Sequence, residues 1–149
     1  MYNLTVDGAH TYYVLAGKTP ILVHNCNEIF YRAMSEKEFN QLGPNGGITV
    51  KGTENFVTQS REYLEGLSSR TARRGGRNAD KYTALVRFEM SPGARDALVS
   101  AGKTPGEIGQ DINAVHLKSE RGADAFGLRP GSVGVFNSRI ARFGRVDDW

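Results

Sequence analysis

The chain has 149 residues, of which 39% are hydrophobic, so we predict a folded domain with its own core rather than a disordered segment. Its 19 lysines and arginines against 16 acidic residues give a net charge of +3, too small an excess to indicate nucleic-acid binding by itself. A single cysteine excludes an internal disulfide, no stretch approaches the ~20 apolar residues of a membrane span, and we expect neither a signal peptide nor a metal site.

The first 26 residues predict a small β-rich segment. Residues 6–8 read Val-Asp-Gly, which is typical of a hairpin turn. Short apolar strands are expected at 12–15 and 21–23, with a turn between them. Such a segment is too small to hold a core of its own. We therefore expect an N-terminal β-hairpin ahead of the main domain.

The pattern from residue 27 to residue 80 predicts alternating strands and helices. Ser35 and Glu38 have capping-box spacing, and Gly43 with Pro44 is expected to end the helix that they begin. The predicted elements are strands at 29–32, 48–50 and 55–57, helices at 36–42 and 60–69, and a basic loop at 70–80.

The strongest predicted strand lies in the second half of the chain, at 82–90, where apolar residues alternate onto one face. Ser91 and Pro92 predict the start of a helix that ends at Gly102. The other predicted elements are a loop at 103–112, a strand at 115–120, a turn at 127–131 and a helix begun by Ser132 that carries Val135, Phe136 and Ile140. Short helices among scattered strands predict the α+β class.

The first group of residues whose side chains can carry out a reaction is His24-Asn25-Cys26. An asparagine amide can attack its own carbonyl carbon and break the chain, a histidine can assist by protonation, and a cysteine can act as a nucleophile. With the flanking sequences VDGAHTYYV and TPILVHN, this triplet resembles the C-terminal end of a pretoxin Hint domain. The resemblance implies a processing remnant over 1–25 and a toxin domain over 26–149. The N-terminal half of the Hint fold is missing, so we do not expect efficient self-cleavage; a plain β-hairpin appendage is the alternative.

The main domain carries a series of short motifs in a fixed order. They are FYRAMS at 30–35, NFVTQS at 55–60, the strand YTALVRFE at 82–89, VHLKSE at 115–120, and Phe136-Asn137. Over about 28–146 this order resembles ADP-ribosyltransferase toxins, and among them the Rhs-type toxins that modify elongation factor Tu. The resemblance implies a split β-sandwich with short helices and NAD as substrate. It also implies a secreted polymorphic toxin that blocks translation in the cytoplasm of a target cell, together with a cognate immunity protein.

The chemistry of NAD cleavage explains why an arginine, hydroxyl side chains and a glutamate would be needed at the site. The bond between nicotinamide and ribose breaks through a positively charged, oxocarbenium-like transition state. Arg32 can clamp a phosphate or ribose oxygen, Thr58 and Ser60 can support the nicotinamide pocket, and Glu120 can stabilise the developing charge. The resemblance adds Tyr31 to the NAD contacts. We therefore expect Glu120, Arg32 and Ser60 to be catalytic, and Arg32, Tyr31, Thr58 and Ser60 to bind NAD.

Structural alternatives to these roles remain open. Arg32 can be a surface residue paired with Glu28, Ser60 can simply cap a helix, and Glu120 can be a solvated charge at a strand end. Glu89 and Glu54 compete with Glu120 for the catalytic role. Lys118 occupies the position where arginine-directed transferases carry Glu or Gln, which puts arginine in doubt as the acceptor.

Two other functions compete with ADP-ribosyl transfer. In a toxic ribonuclease, His116, Lys118 and Glu120 would supply acid–base chemistry and the 70–77 loop would bind phosphate. A non-enzymatic binding module is the third interpretation. Seven basic residues lie between positions 61 and 87 and form a basic stretch. This stretch is either a solvated loop or a site for a dinucleotide phosphate, RNA or an acidic protein such as the immunity protein. Its members are Arg61, Arg70, Arg73, Arg74, Arg77, Lys81 and Arg87.

Overall fold

A computed structural model describes residues 28–149 and the backbone of 11–16 and 19–24, without the side chains of 77 and 78. The turn predicted at 6–8, the processing residues Asn25 and Cys26, and the side chain of Arg77 lie outside the described residues. The expected hairpin strands are confirmed. β1 (Thr11–Ala16) and β2 (Thr19–His24) pair antiparallel, with Thr11 opposite His24.

A seven-stranded sheet forms the centre of the main domain. Its strands are β3 (Glu28–Met34), β4 (Asn55–Thr58), β5 (Ala84–Met90), β6 (Gly102–Lys103), β7 (Val115–Glu120), β8 (Ala123–Leu128) and β9 (Ile140–Arg145). Their order across the sheet is β6-β7-β8-β4-β3-β5-β9, with β6 parallel to β7 and the other neighbours antiparallel. The domain is therefore mixed α and β, as predicted.

Five short helices connect or cover these strands. They are α1 (Glu36–Asn45), α2 (Arg61–Arg74), α3 (Ala94–Ser100), α4 (Pro105–Ile108) and α5 (Val133–Asn137), with 3₁₀ turns at Gly76–Tyr82 and Val146–Asp148. Within the described part of the chain, no helix has the length and apolar character that crossing a membrane requires.

The core lies on one face of the sheet. The alternation predicted for β5 is confirmed: Ala84, Val86, Phe88 and Met90 are all buried. Opposite Phe88 in β3 stands Phe30. The ring of Phe30 meets those of Phe126 and Phe136 edge-on, at centroid distances of 5.8 and 5.6 Å. Burying each such ring stabilises the fold by roughly 1.5–3 kcal/mol.

The end predicted for the first helix is wrong by three residues. Ser35 caps α1 as expected, its Oγ accepting from the Glu38 N–H at 3.2 Å. The helix continues through Gly43 and Pro44, because a proline this close to the C-terminus removes only one backbone donor. It ends where Gly46 adopts φ +68° and closes the last turn with hydrogen bonds from its N–H.

The strand predicted at 48–50 is also wrong. Residues 48–50 are irregular because a side chain satisfies the backbone there: Asn137 Oδ1 accepts from the Ile48 N–H at 2.9 Å, and its Nδ2 donates to the Ile48 carbonyl at 2.8 Å. The loop predicted at 70–80 is wrong as well. The arginine-rich sequence instead extends α2 to Arg74, and a 3₁₀ turn follows.

The helix predicted from Ser91 and Pro92 begins later, at Ala94, with Gly93 at φ +83° as its N-cap. The Glu28 carboxylate accepts hydrogen bonds from the backbone N–H groups of Gly93 and Arg95, and so replaces a serine cap. Glu28 is thereby committed to α3 rather than to Arg32.

The last third of the chain holds the largest differences. The predicted turn at 127–131 overlaps β8, which continues to Leu128, and Ile140 lies in β9 rather than in a helix. The predicted loop at 103–112 contains α4, at whose start the Glu107 carboxylate accepts from the Thr104 N–H at 3.2 Å and from the Thr104 hydroxyl at 2.6 Å. Gly127 lies within β8 rather than in a turn. Only glycine fits at this position, because a Cβ there would lie 2.8 Å from Glu54 Oε2 and 2.9 Å from His116 Cβ.

Candidate functional site

A groove of about 650 Å³ runs between α2 and the turn that joins β7 to β8. One wall is a single face of α2, since Tyr63, Gly66, Arg70 and Arg73 follow one another at helical spacings of three and four. The opposite wall is the turn at residues 121–123. The groove is also lined by Ser60, Glu62, Glu65 and Ser69. We call it the arginine groove.

Three guanidinium groups line the arginine groove, from Arg70, Arg73 and Arg121. None of the three has a salt-bridge partner among the described residues. Of the two carboxylates in the lining, that of Glu65 is held by Arg61 at 2.6 Å. The groove therefore presents more uncommitted positive than negative charge, and guanidinium groups match the geometry of phosphate oxygens.

The β7–β8 turn is a two-residue hairpin. Glu120 pairs with Ala123, and the two residues between them, Arg121 and Gly122, have φ of +53° and +82°. Positive φ at both positions matches the twist of a tight hairpin, and it is costly for an arginine by roughly 1–2 kcal/mol. Arg121 is the one non-glycine residue with positive φ in the described part of the chain. The turn holds its side chain against the groove despite this cost.

Gly66 explains how Arg70 lies along α2. A Cβ at Gly66 would stand 3.0 Å from Arg70 Nη1, so the missing side chain leaves room for the guanidinium to fold back over the helix. A glycine inside a helix costs about 1 kcal/mol relative to alanine. The helix tolerates this loss, and the groove gains depth where Arg70 lies.

Of the predicted site residues Thr58 and Ser60, which are hydrogen-bonded to each other, only Ser60 lines the arginine groove. Ser60 caps α2 by accepting from the Tyr63 N–H at 3.2 Å, as the structural alternative expected, and it also lines the groove. Thr58 is 1% exposed; its hydroxyl donates to the Asp124 carbonyl at 2.6 Å and accepts from the Ser60 N–H at 3.1 Å. Thr58 thus ties the start of α2 to the start of β8.

Glu120 lies next to the groove, at the end of β7. Burial raises the pKa of Tyr63, and the negative charge of Glu120 raises that pKa further. Arg70 and Arg121 act on the same phenol in the opposite direction. Ser60, Tyr63, Arg70 and Arg121 therefore line one groove, and Glu120, which is not part of the lining, directly precedes Arg121.

Arg32 and Tyr31 are not part of that grouping. Arg32 is 7% exposed, and its guanidinium donates to Glu38 Oε1 at 2.7 Å and to the Phe56 carbonyl at 3.0 Å. Tyr31 is half-buried and faces Thr58 across β3 and β4. Neither residue lines the arginine groove.

A second concentration of charge lies on the sheet beside β7, and we call it the Glu54 cluster: Glu54, His116, Lys118 and Arg129. Glu54 Oε1 accepts from Lys118 Nζ at 2.7 Å, while Glu54 Oε2 lies 2.9 Å from His116 Nδ1 and 3.6 Å from Arg129 Nε. The Lys118 ammonium also stands 4.0 Å above the Phe56 ring. All four side chains are mostly buried, at 8–20% exposure.

The net effect of the Glu54 cluster on its carboxylate is stabilising. Burial tends to raise the pKa of Glu54, but hydrogen bonds and charge attraction from Lys118 and His116 outweigh burial, so the pKa lies below its usual range. Two buried nitrogens, His116 Nε2 and Arg129 Nε, have no hydrogen-bond partner among the described residues. The cluster therefore places one carboxylate among a lysine, an arginine and a histidine, and it leaves the Arg129 Nε–H as a donor that no described residue uses.

Sequence reasoning missed most of these contributors. Tyr63, Gly66, Arg121 and Arg129 were not singled out, and Glu54 was considered only as a less persuasive competitor of Glu120 for the catalytic role. The α2 face could have been found from the spacing of Tyr63, Gly66, Arg70 and Arg73. Arg129 carries no local signal, because its partner Glu54 lies 75 positions earlier in the chain.

In the part of the chain that the structure describes, no three His, Cys, Asp or Glu side chains are placed to hold a metal ion. No protein-family model matches the chain, and no curated protein is significantly similar to it.

Proposed function

We propose that the domain is a mono-ADP-ribosyltransferase that binds NAD in the arginine groove. The observation that carries this proposal is that three uncommitted arginines line one groove together with Tyr63 and Ser60, while Glu120 directly precedes the groove residue Arg121 in the β7–β8 turn. A volume of about 650 Å³ suits a ligand of this size, since ligand sites usually measure roughly 300–1,000 Å³.

Each group has a role that its chemistry allows. The two phosphates are bound by Arg70, Arg73 and Arg121. The Tyr63 ring stacks on a base, and the Ser60 hydroxyl supports the nicotinamide pocket. Glu120 binds the ribose 2′-hydroxyl and stabilises the positive charge that develops as the nicotinamide–ribose bond breaks. Nicotinamide leaves with the electron pair of that bond, and a nucleophilic side chain of the target forms the new bond to ribose C1′.

We also propose the split β-sandwich of the ADP-ribosyltransferase toxins as the fold. The positions of β3, β4 and β8 support it, because these three strands are neighbours. They bring the strand of Arg32, the strand of Thr58 and the turn after Glu120 to adjacent places in one sheet. Arg32 then acts as a positioning residue, since it holds Glu38 and the β4 carbonyl of Phe56 rather than a groove ligand.

The biological setting follows from the same resemblance. The domain is proposed to be delivered as part of a secreted polymorphic toxin and to modify a protein of the target cell, with elongation factor Tu as the first candidate. A cognate immunity protein with an acidic surface would suit the arginine groove and the exposed α2 arginines. His24, Asn25 and Cys26 retain their proposed origin in the processing segment.

Reversing the charge of Arg70 and Arg73 is expected to raise the KM for NAD by at least about tenfold, with a much smaller change in kcat, because each phosphate contact from a charged donor is worth about 1.5–3 kcal/mol. The measurement is nicotinamide release at varied NAD concentrations for Arg70→Glu, Arg73→Glu and the double variant. Arg74→Glu is the matched control, since Arg74 is exposed on the same helix but does not line the groove. An equal effect in all three single variants would show a general charge effect and contradict the groove assignment.

A ribonuclease is the second candidate, and the Glu54 cluster favours it. Glu54 could accept the proton of an RNA 2′-hydroxyl, whose oxygen attacks phosphorus, while His116 gives a proton to the departing 5′-oxygen. Lys118 and Arg129 would stabilise the charge on phosphorus. This candidate predicts RNA degradation without NAD that His116→Ala abolishes. The burial of all four side chains makes it the weaker candidate, because the substrate must reach them.

A further inference from the structure

A second cavity, of about 290 Å³, lies between α1 and the segment from Gly47 to Asn55. It is separate in its lining from the arginine groove, and Arg32 stands behind one of its walls. Leu42, which is 1% exposed, supplies an apolar surface there. We call this cavity the α1 pocket.

The wall opposite α1 is held in place. Asn137 Oδ1 accepts from the Ile48 N–H and its Nδ2 donates to the Ile48 carbonyl, which fixes the segment on both of its backbone groups. A Cβ at Gly47 would lie 2.4 Å from Asn137 Oδ1, so only glycine allows this close approach. The α1 pocket is therefore bounded by a pinned wall rather than by a loose loop.

The carboxylate of Glu38 is oriented inside the α1 pocket. Arg32 donates from both Nε and Nη2 to the same oxygen, Glu38 Oε1, at 3.2 and 2.7 Å. Glu38 Oε2 has no hydrogen-bond partner among the described residues, although the side chain lines the pocket. A buried arginine thus presents one fixed acceptor to whatever enters.

Neutral amides and lysines complete the lining of the α1 pocket. Gln41 follows Glu38 by three residues and Asn45 follows Gln41 by four, so both amides lie on the same face of α1. Lys37 and Lys51 also line the pocket, and neither forms a salt bridge with any described residue. A fixed acceptor, two amides and two free cations together favour a ligand that carries both an amino-bearing edge and a negative charge.

We propose that the α1 pocket binds a purine nucleotide that carries an exocyclic amine, with AMP as the probe. The 6-amino group donates to Glu38 Oε2, and Gln41 or Asn45 pairs with the same base edge as amides pair with adenine. Lys37 and Lys51 hold the phosphate. The Glu38 carboxylate repels a phosphate, so the phosphate is expected beside the lysines and the amine beside Glu38.

Calorimetric titration of the whole chain tests this site without any need for transfer activity. Wild type is expected to bind AMP at least about tenfold more tightly than adenosine, which lacks the phosphate, and than inosine monophosphate, whose carbonyl replaces the amine. Lys37→Ala/Lys51→Ala should remove the advantage of AMP over adenosine. Glu38→Gln should narrow the difference between AMP and inosine monophosphate.

The controls separate this pocket from the arginine groove. AMP is half of NAD, so the arginine groove would bind it as well. The titrations are therefore also made in the Arg70→Glu/Arg73→Glu background, where the differences expected for the α1 pocket should persist. Arg74→Ala should leave AMP affinity unchanged, and near-ultraviolet circular dichroism verifies that each variant is folded. In the Arg70→Glu/Arg73→Glu background, AMP binding that survives the two lysine substitutions, or that is absent altogether, would overturn the proposal. So would the absence of AMP binding to wild type at millimolar concentration.

Discussion

Glu120→Gln is expected to lower the rate of nicotinamide release from NAD by about 10²–10³, with little change in the KM for NAD. The substitution keeps the size of the side chain and its capacity to hydrogen bond with a ribose hydroxyl, but it removes the negative charge. If Glu120 stabilises the oxocarbenium-like transition state, the loss falls on kcat, because that positive charge is absent from the ground state.

Glu89→Gln is the matched control for this experiment. Glu89 is the other strand carboxylate that competed for the role, and the structure commits it elsewhere: its Oε2 accepts from Arg142 at 3.0 Å and its Oε1 lies 3.6 Å from Arg87. We expect Glu89→Gln to turn over NAD at close to the wild-type rate. If instead Glu89→Gln is the inactive variant and Glu120→Gln is active, the carboxylate has been misassigned.

Glu54→Ala is expected to destabilise the fold by about 2–4 kcal/mol, the largest effect on stability that we anticipate from a single charged residue. The alanine leaves Lys118 and Arg129 mostly buried without their shared counter-charge, and it opens space against Gly127. The figure is below that of a fully buried pair because Lys118 remains 20% exposed. Equilibrium unfolding in urea measures it.

Glu65→Ala serves as the control for this substitution, since Glu65 forms an exposed ion pair with Arg61 on α2 that should contribute no more than about 0.5 kcal/mol. An equally small loss in Glu54→Ala would show that the cluster does not support the fold.

The Glu54 cluster also predicts how stability depends on pH. The folded-state pKa of Glu54 is lowered, so its contribution is fully present above the unfolded-state pKa of about 4.3. That contribution is lost as the pH falls through the folded-state pKa. The stability difference between wild type and Glu54→Gln should therefore be constant near neutral pH and shrink in acid. A difference that grows in acid would contradict the assigned direction.

The strands with alternating or apolar sequences were the easiest part of the fold to predict. The period-two pattern of β5 and the capping residues Ser35 and Ser60 act locally, so the sequence alone is enough to place β5 and the starts of α1 and α2. Elements fixed by distant partners were missed. The sequence of residues 48–50 is typical of a strand, but the backbone there is bound by the Asn137 side chain. Gly127 is a residue type typical of a turn, but it lies in β8, where the missing side chain allows Glu54 and His116 to approach.

The site was predictable to a similar degree. Ser60 and Glu120 were expected from their positions near strand ends; Ser60 lines the arginine groove, and Glu120 lies beside it without lining it. Arg32 was expected to hold the ligand, yet its guanidinium donates to the carboxylate of Glu38, six positions away. Glu38 had been interpreted only as part of the cap of α1, so its pairing with Arg32 was not predicted. Arg121 was unpredictable because its importance comes from an uncommon backbone conformation in a turn.

The central claim is that this domain moves ADP-ribose from NAD to a protein. The most direct test is incubation of the chain with isotope-labelled NAD and a bacterial lysate, followed by mass spectrometry of every labelled band, with Glu120→Gln in parallel. We predict a labelled protein carrying ADP-ribose on one side chain, at the mass of elongation factor Tu if the resemblance extends to the target, and no label with Glu120→Gln. An unlabelled lysate in which RNA is degraded without added NAD would contradict the claim and favour the Glu54 cluster as the active site.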